Sequence, residues 1–259
     1  MNLPLAALMA AILMPLTEAL AVPVFEPVQA FEIAPRDPQG KLVQGADGSF
    51  YGTTSDGGAS GQGTIYKLSA DGTLTTVFHF AGANGSTPKA GLILASDGSF
   101  YGTTSKGGGG YGTVFKMTTA GQVATVGTFG GADGSDAQAA LVEGPDGNFY
   151  GTTSGGGSLA KGTVFRITPE GTLTTLVSFT GPNGSEPQAE LVIGNDGNFY
   201  GTTFEGGSES SSGVSGYGTV FRITPEGALT TLVTFAHSNG GGIGPRPGWK
   251  FLRSHDFRR

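Results

Sequence analysis

A fifty-residue motif occurs four times in this chain, and no other feature of the sequence limits the possible folds as strongly. The tetrapeptide Tyr-Gly-Thr-Thr recurs at intervals of 50, 49 and 50 residues, beginning at Tyr51, Tyr101, Tyr150 and Tyr200. Asp-Gly-(Ser/Asn)-Phe precedes each copy, and Gly-Thr-(Val/Ile)-(Phe/Tyr)-(Lys/Arg) follows it. Repeats of this length indicate that each copy forms one small unit, which buries its apolar faces against neighbouring copies.

Each unit has the sequence pattern of four short β-strands, which we call A, B, C and D. Strand A is a short apolar run, and an Asp-Gly pair connects it to strand B, the Tyr-Gly-Thr-Thr segment. Asp-Gly favours a hairpin turn in which both residues take positive φ. A glycine-rich loop leads to strand C, and a second turn leads to strand D, which ends in phenylalanine. Alternation in strand C leaves neither face purely polar, as expected for a sheet stacked between other sheets.

The sequence therefore predicts an all-β fold, a β-propeller-like array of four-stranded antiparallel blades, with an open β repeat array or solenoid as the alternative. The predicted domain covers residues 22–236, with a strand D-like start at residues 22–32. The four repeats lie at about residues 40–80, 90–129, 139–179 and 189–235. The pattern stops after Phe235, which leaves open either a four-bladed ring or a truncated piece of a longer array.

The chain ends differ in composition from the repeats. Residues 3–16 are almost wholly apolar, and Ala19-Leu20-Ala21 has the form of a signal-peptidase site, so we predict a signal peptide at residues 1–21. A buried N-terminal helix is the alternative, because this segment lacks lysine and arginine. We expect a secreted or cell-surface protein with no transmembrane span in the mature chain. Residues 237–259 form a divergent basic tail.

Charge and cysteine content exclude several classes of function. Residues 22–245 contain nine basic and eighteen acidic residues, and such a negative body would repel a phosphate backbone. Nucleic acid is therefore not expected as a partner. The chain contains no cysteine, which rules out disulfides and thiolate zinc sites.

The motifs resemble those of a known family. Asp-Gly-Asn-Phe-Tyr-Gly-Thr-Thr, followed by Gly-Gly and Gly-Thr-Val-Phe-Arg-Ile-Thr, is similar to the GloVer tandem repeat of bacterial choice-of-anchor surface proteins, over roughly residues 40–236. The resemblance implies an exported bacterial protein without an assigned biochemical role. Many such proteins end in an anchoring segment, whereas the tail of this chain has no apolar span. A more distant likeness to streptogramin-lyase-like and NHL-type propellers is an analogy of fold alone.

The Asp-Gly pairs are predicted to be structural turns rather than metal ligands. Their aspartates recur only every fifty residues, and each lies in a separate hairpin, too far from the others to share one ion. We predict this turn role for Asp47, Gly48, Asp97, Gly98, Asp146, Gly147, Asp196 and Gly197. The sequence indicates no catalytic set, no metal site and no cofactor.

A second set of polar turn residues lies in the D–A loops, which share one face of a propeller with the variable B–C loops. That face is where binding is expected. The hypothesis is a ring of amide and carboxylate groups that weakly holds a sugar or a cation, and turn formation alone is the alternative. The predicted binding residues are Asn84, Asp133, Asn183 and Asn239, together with Tyr111 and Tyr217, which could stack on a sugar.

Three hypotheses for function follow. The first is an exported, non-catalytic surface or extracellular binding or structural module whose partner is an unknown protein or glycan. The second is an extracellular propeller enzyme of carbohydrate- or lyase-type. Catalysis would need unlike residues at equivalent blade positions, and the one strong asymmetry is an insertion of six residues within residues 208–217. The third is a truncated fragment of a longer repeat protein.

Overall fold

The computed structural model describes residues 35–207 and 216–236, and every regular element within these ranges is a β-strand. The predicted signal peptide, the predicted strand at residues 22–32, most of the fourth B–C insertion and the tail at 237–259 lie outside the described residues. Over the two described ranges, no helix is long and apolar enough to cross a membrane.

The strands form four antiparallel sheets, one for each repeat, and each sheet has the order A-B-C-D. An extra strand, β1, pairs with strand B of the first sheet beside strand A. Blade 1 contains β1 (Arg36–Pro38), β2 (Val43–Gln44), β3 (Phe50–Asp56), β4 (Thr64–Leu68) and β5 (Leu74–His79). Blade 2 contains β6 (Ile93–Leu94), β7 (Phe100–Thr104), β8 (Thr113–Met117) and β9 (Val123–Thr128). Blade 3 contains β10 (Val142–Glu143), β11 (Phe149–Thr153), β12 (Thr163–Ile167) and β13 (Leu173–Ser178). Blade 4 contains β14 (Val192–Ile193), β15 (Phe199–Thr203), β16 (Thr219–Ile223) and β17 (Leu229–Thr234). The predicted all-β, propeller-like fold is confirmed.

The Asp-Gly turn differs from the two-residue turn that the dipeptide predicts. In blade 1 the amide of Gly48 donates to the carbonyl of Gly45 (3.0 Å), which closes a four-residue turn, and the amide of Gly45 donates to the carbonyl of Ser49. Only Gly48 has positive φ, at 78°. The loop is therefore a turn followed by a glycine bulge, so the aspartate keeps an ordinary backbone conformation. The same pattern recurs in the other three blades.

The first two residues of Tyr-Gly-Thr-Thr let each sheet pack against its neighbour. In blade 2 the ring of Tyr101 lies on the ring of Phe149 in blade 3, with centroids 4.0 Å apart. Gly102 leaves room for Phe115 of strand C, because a Cβ at Gly102 would lie 2.6 Å from the Phe115 ring. Larger residues at the glycine position would push the aromatic ring of strand C out of the core.

The two threonines of the motif are buried donors with different partners. The Thr103 hydroxyl donates to the carbonyl of Ala139 in blade 3, at 3.2 Å. The Thr104 hydroxyl lies 2.8 Å from the hydroxyl of Thr113, which joins strand B to strand C inside the sheet. Buried hydroxyls need such partners, since an unpaired one costs about 1–3 kcal/mol. The motif thus encodes one contact within the blade and one contact with the next blade.

The core is divided among the interfaces between consecutive blades. Three clusters of buried apolar side chains lie between blades 1 and 2, between blades 2 and 3, and between blades 3 and 4. The Tyr–Phe contact recurs as Tyr51–Phe100 (4.5 Å), Tyr101–Phe149 (4.0 Å) and Tyr150–Phe199 (4.1 Å). An edge-to-face contact recurs as Phe80–Phe115, Phe129–Phe165 and Phe179–Phe221. No fourth cluster joins blade 4 to blade 1 within the described residues.

Substitution of one phenylalanine at two equivalent positions tests this division of the core. We expect Phe149→Ala to lower the free energy of unfolding by about 3–5 kcal/mol, because Phe149 is buried against Tyr101. Phe50→Ala removes the same side chain from blade 1, where it is only partly buried, and should cost about 1–2 kcal/mol. Urea unfolding followed by circular dichroism measures both values. Equal losses would contradict the conclusion that stability comes from the blade interfaces.

Candidate functional site

The predicted polar ring in the D–A loops is made of side chains that close their own loops. The Oδ1 atoms of Asn84, Asp133 and Asn183 accept backbone amides three residues upstream, at 2.9, 2.7 and 2.8 Å. Each residue lies in a different loop, and no hydrogen bond joins any two of them. Asn239 lies outside the described residues. In the described part of the chain these side chains therefore act on loop shape.

The two predicted tyrosines lie on the loop face, in different surroundings. Tyr111 is 47% exposed, and its ring lies 3.0 Å from the point where a Cβ on Gly131 would be. Tyr217 is 44% exposed and lines a cleft of about 450 Å³ on blade 4. The structure does not bring the two rings together in one site.

The B–C and D–A loops do meet on one face. The amide of Gly108, in the B–C loop of blade 2, donates to the carbonyl of Gly82 in the preceding D–A loop (2.9 Å). The amide of Thr87 in that D–A loop donates to the carbonyl of Gln62 in the B–C loop of blade 1 (2.9 Å). Each D–A loop is thereby held between two B–C loops.

Sequence reasoning missed the segment that leads from each D–A loop into strand A. Four non-glycine residues at equivalent positions have positive φ: Asp37 (58°), Thr87 (54°), Asp136 (56°) and Glu186 (54°). Such backbone is unusual for these residue types and is kept only where surrounding contacts require it. A (Pro/Ala)-(Gln/Lys)-(Gly/Ala) segment follows each of them, at the spacing of the repeat. That recurrence was the sequence signal that could have found the site.

Two positions after each positive-φ residue lies a residue whose side chain ends in an amide or an amine. We call these four residues the axial set: Gln39, Lys89, Gln138 and Gln188. Lys89 Nζ lies 3.3 Å from Asp136 Oδ1, and Gln138 Nε2 donates to Asp136 Oδ2 at 2.8 Å. These contacts bring the segments of blades 2 and 3 together.

A second ion pair lies close by along the same segments. Lys41 of blade 1 and Glu190 of blade 4 follow the axial residues Gln39 and Gln188 by two positions, and their charged groups lie 2.9 Å apart. The inner edges of the first and last blades therefore approach each other, as is typical of blades arranged around a central axis, and the axial set lies at equivalent positions on the four blades. Exposed amides and charges here can form hydrogen bonds with a polar ligand.

No group of three or more histidine, aspartate or glutamate side chains in the described ranges is placed to hold a metal ion.

The sequence of the chain matches a family model described as the Gloeobacter/Verrucomicrobia repeat over residues 37–247. The chain belongs to this repeat family. The resemblance to GloVer repeats drawn from the motifs is thus confirmed. A comparison of this chain with curated protein sequences found no significant match.

Solved structures with a similar fold share little sequence with this GloVer-repeat protein. A candidate gluconolactonase aligns with 78% of the chain at 14% identity, with a TM-score of 0.51. The extracellular domain of a candidate hybrid two-component system from B. thetaiotaomicron aligns with 81% of the chain at 13% identity, with a TM-score of 0.52. The chain spans 65% of the length of the first and 23% of the second. These likenesses show the fold alone.

The opposite face of the GloVer repeats carries the Asp-Gly turns. Each aspartate accepts the hydroxyl of the tyrosine four residues later, as in Asp97–Tyr101 (3.0 Å) and Asp146–Tyr150 (2.8 Å). Lys116 Nζ lies 2.8 Å from the Asp97 carboxylate. The turn aspartate thus anchors the tyrosine that stacks on the next blade.

Burial and this hydrogen bond shift the pKa values of both groups. Burial of the Tyr150 hydroxyl, together with its bond to the Asp146 carboxylate, raises the pKa of Tyr150 to about 12. Burial opposes ionisation of Asp146, but hydrogen bonds from Asn148 and Tyr150 outweigh it and hold the pKa of Asp146 below its usual value. The tyrosine is therefore protonated and the aspartate charged at neutral pH.

The raised pKa of Tyr150 predicts loss of stability in alkali. The folded state keeps a proton that the unfolded state loses above pH 10, so this stabilisation is complete below about pH 10 and is lost as the pH rises through about 12. We expect Tyr150→Phe to reduce the loss of unfolding free energy between pH 8 and 12 by about 2 kcal/mol. Tyr200→Phe, at the less buried equivalent position, should reduce this loss by a smaller amount. Identical slopes for Tyr150→Phe and the unaltered protein in urea titrations between pH 8 and 12 would show that this proton is not linked to folding.

Proposed function

We propose that this GloVer-repeat protein is an exported, non-catalytic binding module, whose axial set holds a glycan or a similar hydroxyl-rich ligand. The observation that carries the proposal is the repetition of one amide side chain at equivalent positions around the axis. Gln39 and Gln188 are exposed on the segments that enter blades 1 and 4, and Gln138 is partly exposed in blade 3. A primary amide both donates and accepts hydrogen bonds, which suits the hydroxyl groups of a sugar.

The supporting backbone is firmly held, which lowers the cost of ordering the site on binding. The Gln39 amide donates to the Ser55 hydroxyl at 3.2 Å, and the Gln138 amide donates to the Ser154 hydroxyl at 3.1 Å. In blades 2, 3 and 4 the positive-φ residue donates its backbone amide to the B–C loop of the preceding blade, as Thr87, Asp136 and Glu186 do. The exposed Tyr111 adds an aromatic surface on the same face.

An extracellular propeller enzyme is the second candidate, and one observation favours it. Blade 2 has Lys89 where the other three blades have glutamine, and Asp136 pairs with it. Unlike residues at equivalent positions are what catalysis by a repeated fold requires. A candidate gluconolactonase among the similar folds adds only an analogy of architecture.

Binding to an array of neutral and acidic oligosaccharides, followed by titration calorimetry of the best ligand, tests the proposal. We expect Gln39→Ala/Gln188→Ala to weaken binding about tenfold, the cost of losing one to two hydrogen bonds. Gln44→Ala is the matched control, because Gln44 lies at the opposite end of blade 1, where its amide donates to the carbonyl of Gly48. Equal loss in both variants, or no binding to any oligosaccharide, would contradict the proposal. Turnover of the bound sugar would favour the enzyme instead.

Export is tested by the N-terminus of the chain recovered from the medium of a secreting bacterial host. We expect it to begin at Val22, the residue after the predicted cleavage site. Retention in the cytoplasm with residues 1–21 attached would contradict export without affecting the binding result.

A further inference from the structure

The three internal interfaces share a docking arrangement in which a segment of one blade enters a cleft of the blade before it. At the first interface, the Thr87 amide donates to the carbonyl of Gln62 (2.9 Å), and the Thr53 hydroxyl donates to the carbonyl of Ala90 (2.7 Å). Pro88 lies buried between these two hydrogen bonds.

The same hydrogen bonds recur at the second and third interfaces. Backbone amides donate across the interface in the pairs Asp136–Tyr111 (3.2 Å) and Glu186–Lys161 (2.9 Å). Threonine hydroxyls donate to carbonyls in the pairs Thr103–Ala139 and Thr152–Ala189, both at 3.2 Å. Ala137 and Pro187 are buried where Pro88 is buried at the first interface. The docking mode is therefore a property of the repeat.

Blade 4 has this cleft without an entering segment among the described residues. The cleft, of about 450 Å³, is lined by Thr202, Phe204, Tyr217 and Phe235, together with neighbouring residues of the same blade. Thr202 is exposed, whereas its equivalents Thr53, Thr103 and Thr152 are 1–2% exposed. Apolar side chains around it are also exposed: Val192 (62%), Phe204 (63%) and Val233 (42%).

Blade 1 has the segment without a cleft. Residues 37–40 have the sequence Asp-Pro-Gln-Gly, and Asp37 has the positive φ of its equivalents in the docked segments. Pro38 is nevertheless exposed, whereas Pro88 and Pro187 are buried. Leu42 is 46% exposed, whereas its equivalent Leu92 is fully buried. The segment already has the docked conformation, so little ordering entropy opposes its binding.

Closure of the ring within one chain would strain interfaces that are already complete. Lys41 and Glu190 pair at the axis while Pro38 and Thr202 are both exposed, so the inner edges of blades 1 and 4 meet without their faces packing. The Tyr–Phe contacts at the three internal interfaces lie within 4.0–4.5 Å. Bringing the two faces together in one chain would change the angle at all three interfaces, and packed interiors resist such deformation.

We infer that blade 1 of one copy docks on blade 4 of a second copy, with residues 37–40 in the cleft lined by Thr202 and Tyr217. Thr202 donates to the carbonyl of Gly40 in this contact, as Thr53 donates to that of Ala90. The exposed apolar faces of the two blades become buried in this contact. The contact is head-to-tail, because each copy offers one segment and one cleft. Gln39 lies in the docked segment and Gln188 lines the cleft, but their equivalents Lys89 and Gln138 stay partly exposed at the internal interfaces, so docking leaves these side chains partly exposed.

Mixing two variants tests the inference, because each variant blocks one half of the contact. Thr202→Arg fills the cleft and leaves the segment intact, whereas Pro38→Arg alters the segment and leaves the cleft intact. Light scattering coupled to size exclusion, over a dilution series, gives the mass of each sample. We expect the unaltered chain to show at least twice the 26.1 kDa of one copy, and each variant alone to show 26.1 kDa. An equimolar mixture of the variants should restore twice that mass.

The controls separate docking from misfolding. Leu159→Arg alters an apolar side chain that is 57% exposed in the B–C loop of blade 3, away from both halves, and should leave the association unchanged. Circular dichroism melting establishes that all three variants fold. A monomeric unaltered chain at every concentration, as closure within one chain would give, overturns the inference. Variants that associate alone, or a mixture that stays monomeric, overturn it as well.

Discussion

The structure depends on the contact between one sheet and the next. A four-stranded blade has apolar side chains on both faces and cannot bury either of them alone, so its stability comes from the neighbouring blades. In blades 1, 2 and 3 the tyrosine of strand B and the phenylalanine at the end of strand D both contact aromatic rings of the following blade. In an array of this kind, free energy is distributed over the interfaces, and a blade with one neighbour is held less firmly than a blade with two.

This dependence explains the narrow chemistry of the repeat. The Tyr-Gly-Thr-Thr segment must provide a stacking ring, a gap for the ring of strand C, a donor to the next blade and a donor within the blade, and each residue serves one of these needs. The Asp-Gly turn adds an acceptor for the stacking tyrosine. The loops on the other face join neighbouring blades through backbone hydrogen bonds, which constrain side-chain type less, and the polar axial set lies there.

The periodicity was sufficient to predict the blades, their strand order and the separation of the two loop kinds, because every repeat carries the same alternation and the same turn signals. The type of the Asp-Gly turn was predicted wrongly, since the dipeptide alone does not show whether a third residue joins the loop. The axial set escaped prediction for a physical reason. Positive φ at Thr87, Asp136 and Glu186 accompanies hydrogen bonds to the preceding blade, and residue type alone gives no sign of these contacts. The pairing of Lys89 with Asp136 likewise arises only when two blades stand side by side.

Hydrogen–deuterium exchange of the Pro38→Arg variant, which we expect to be monomeric, measures directly where stability resides. Blades 2 and 3 have neighbours on both faces, so we expect the amides of Phe100–Thr104 and Phe149–Thr153 to exchange most slowly. The amides of Leu229–Thr234, at the outer edge of a blade with one uncovered face, should exchange much faster than those of Leu173–Ser178 in blade 3. Similar protection at these two equivalent strands would contradict the account, because each sheet would then be stable without its neighbours.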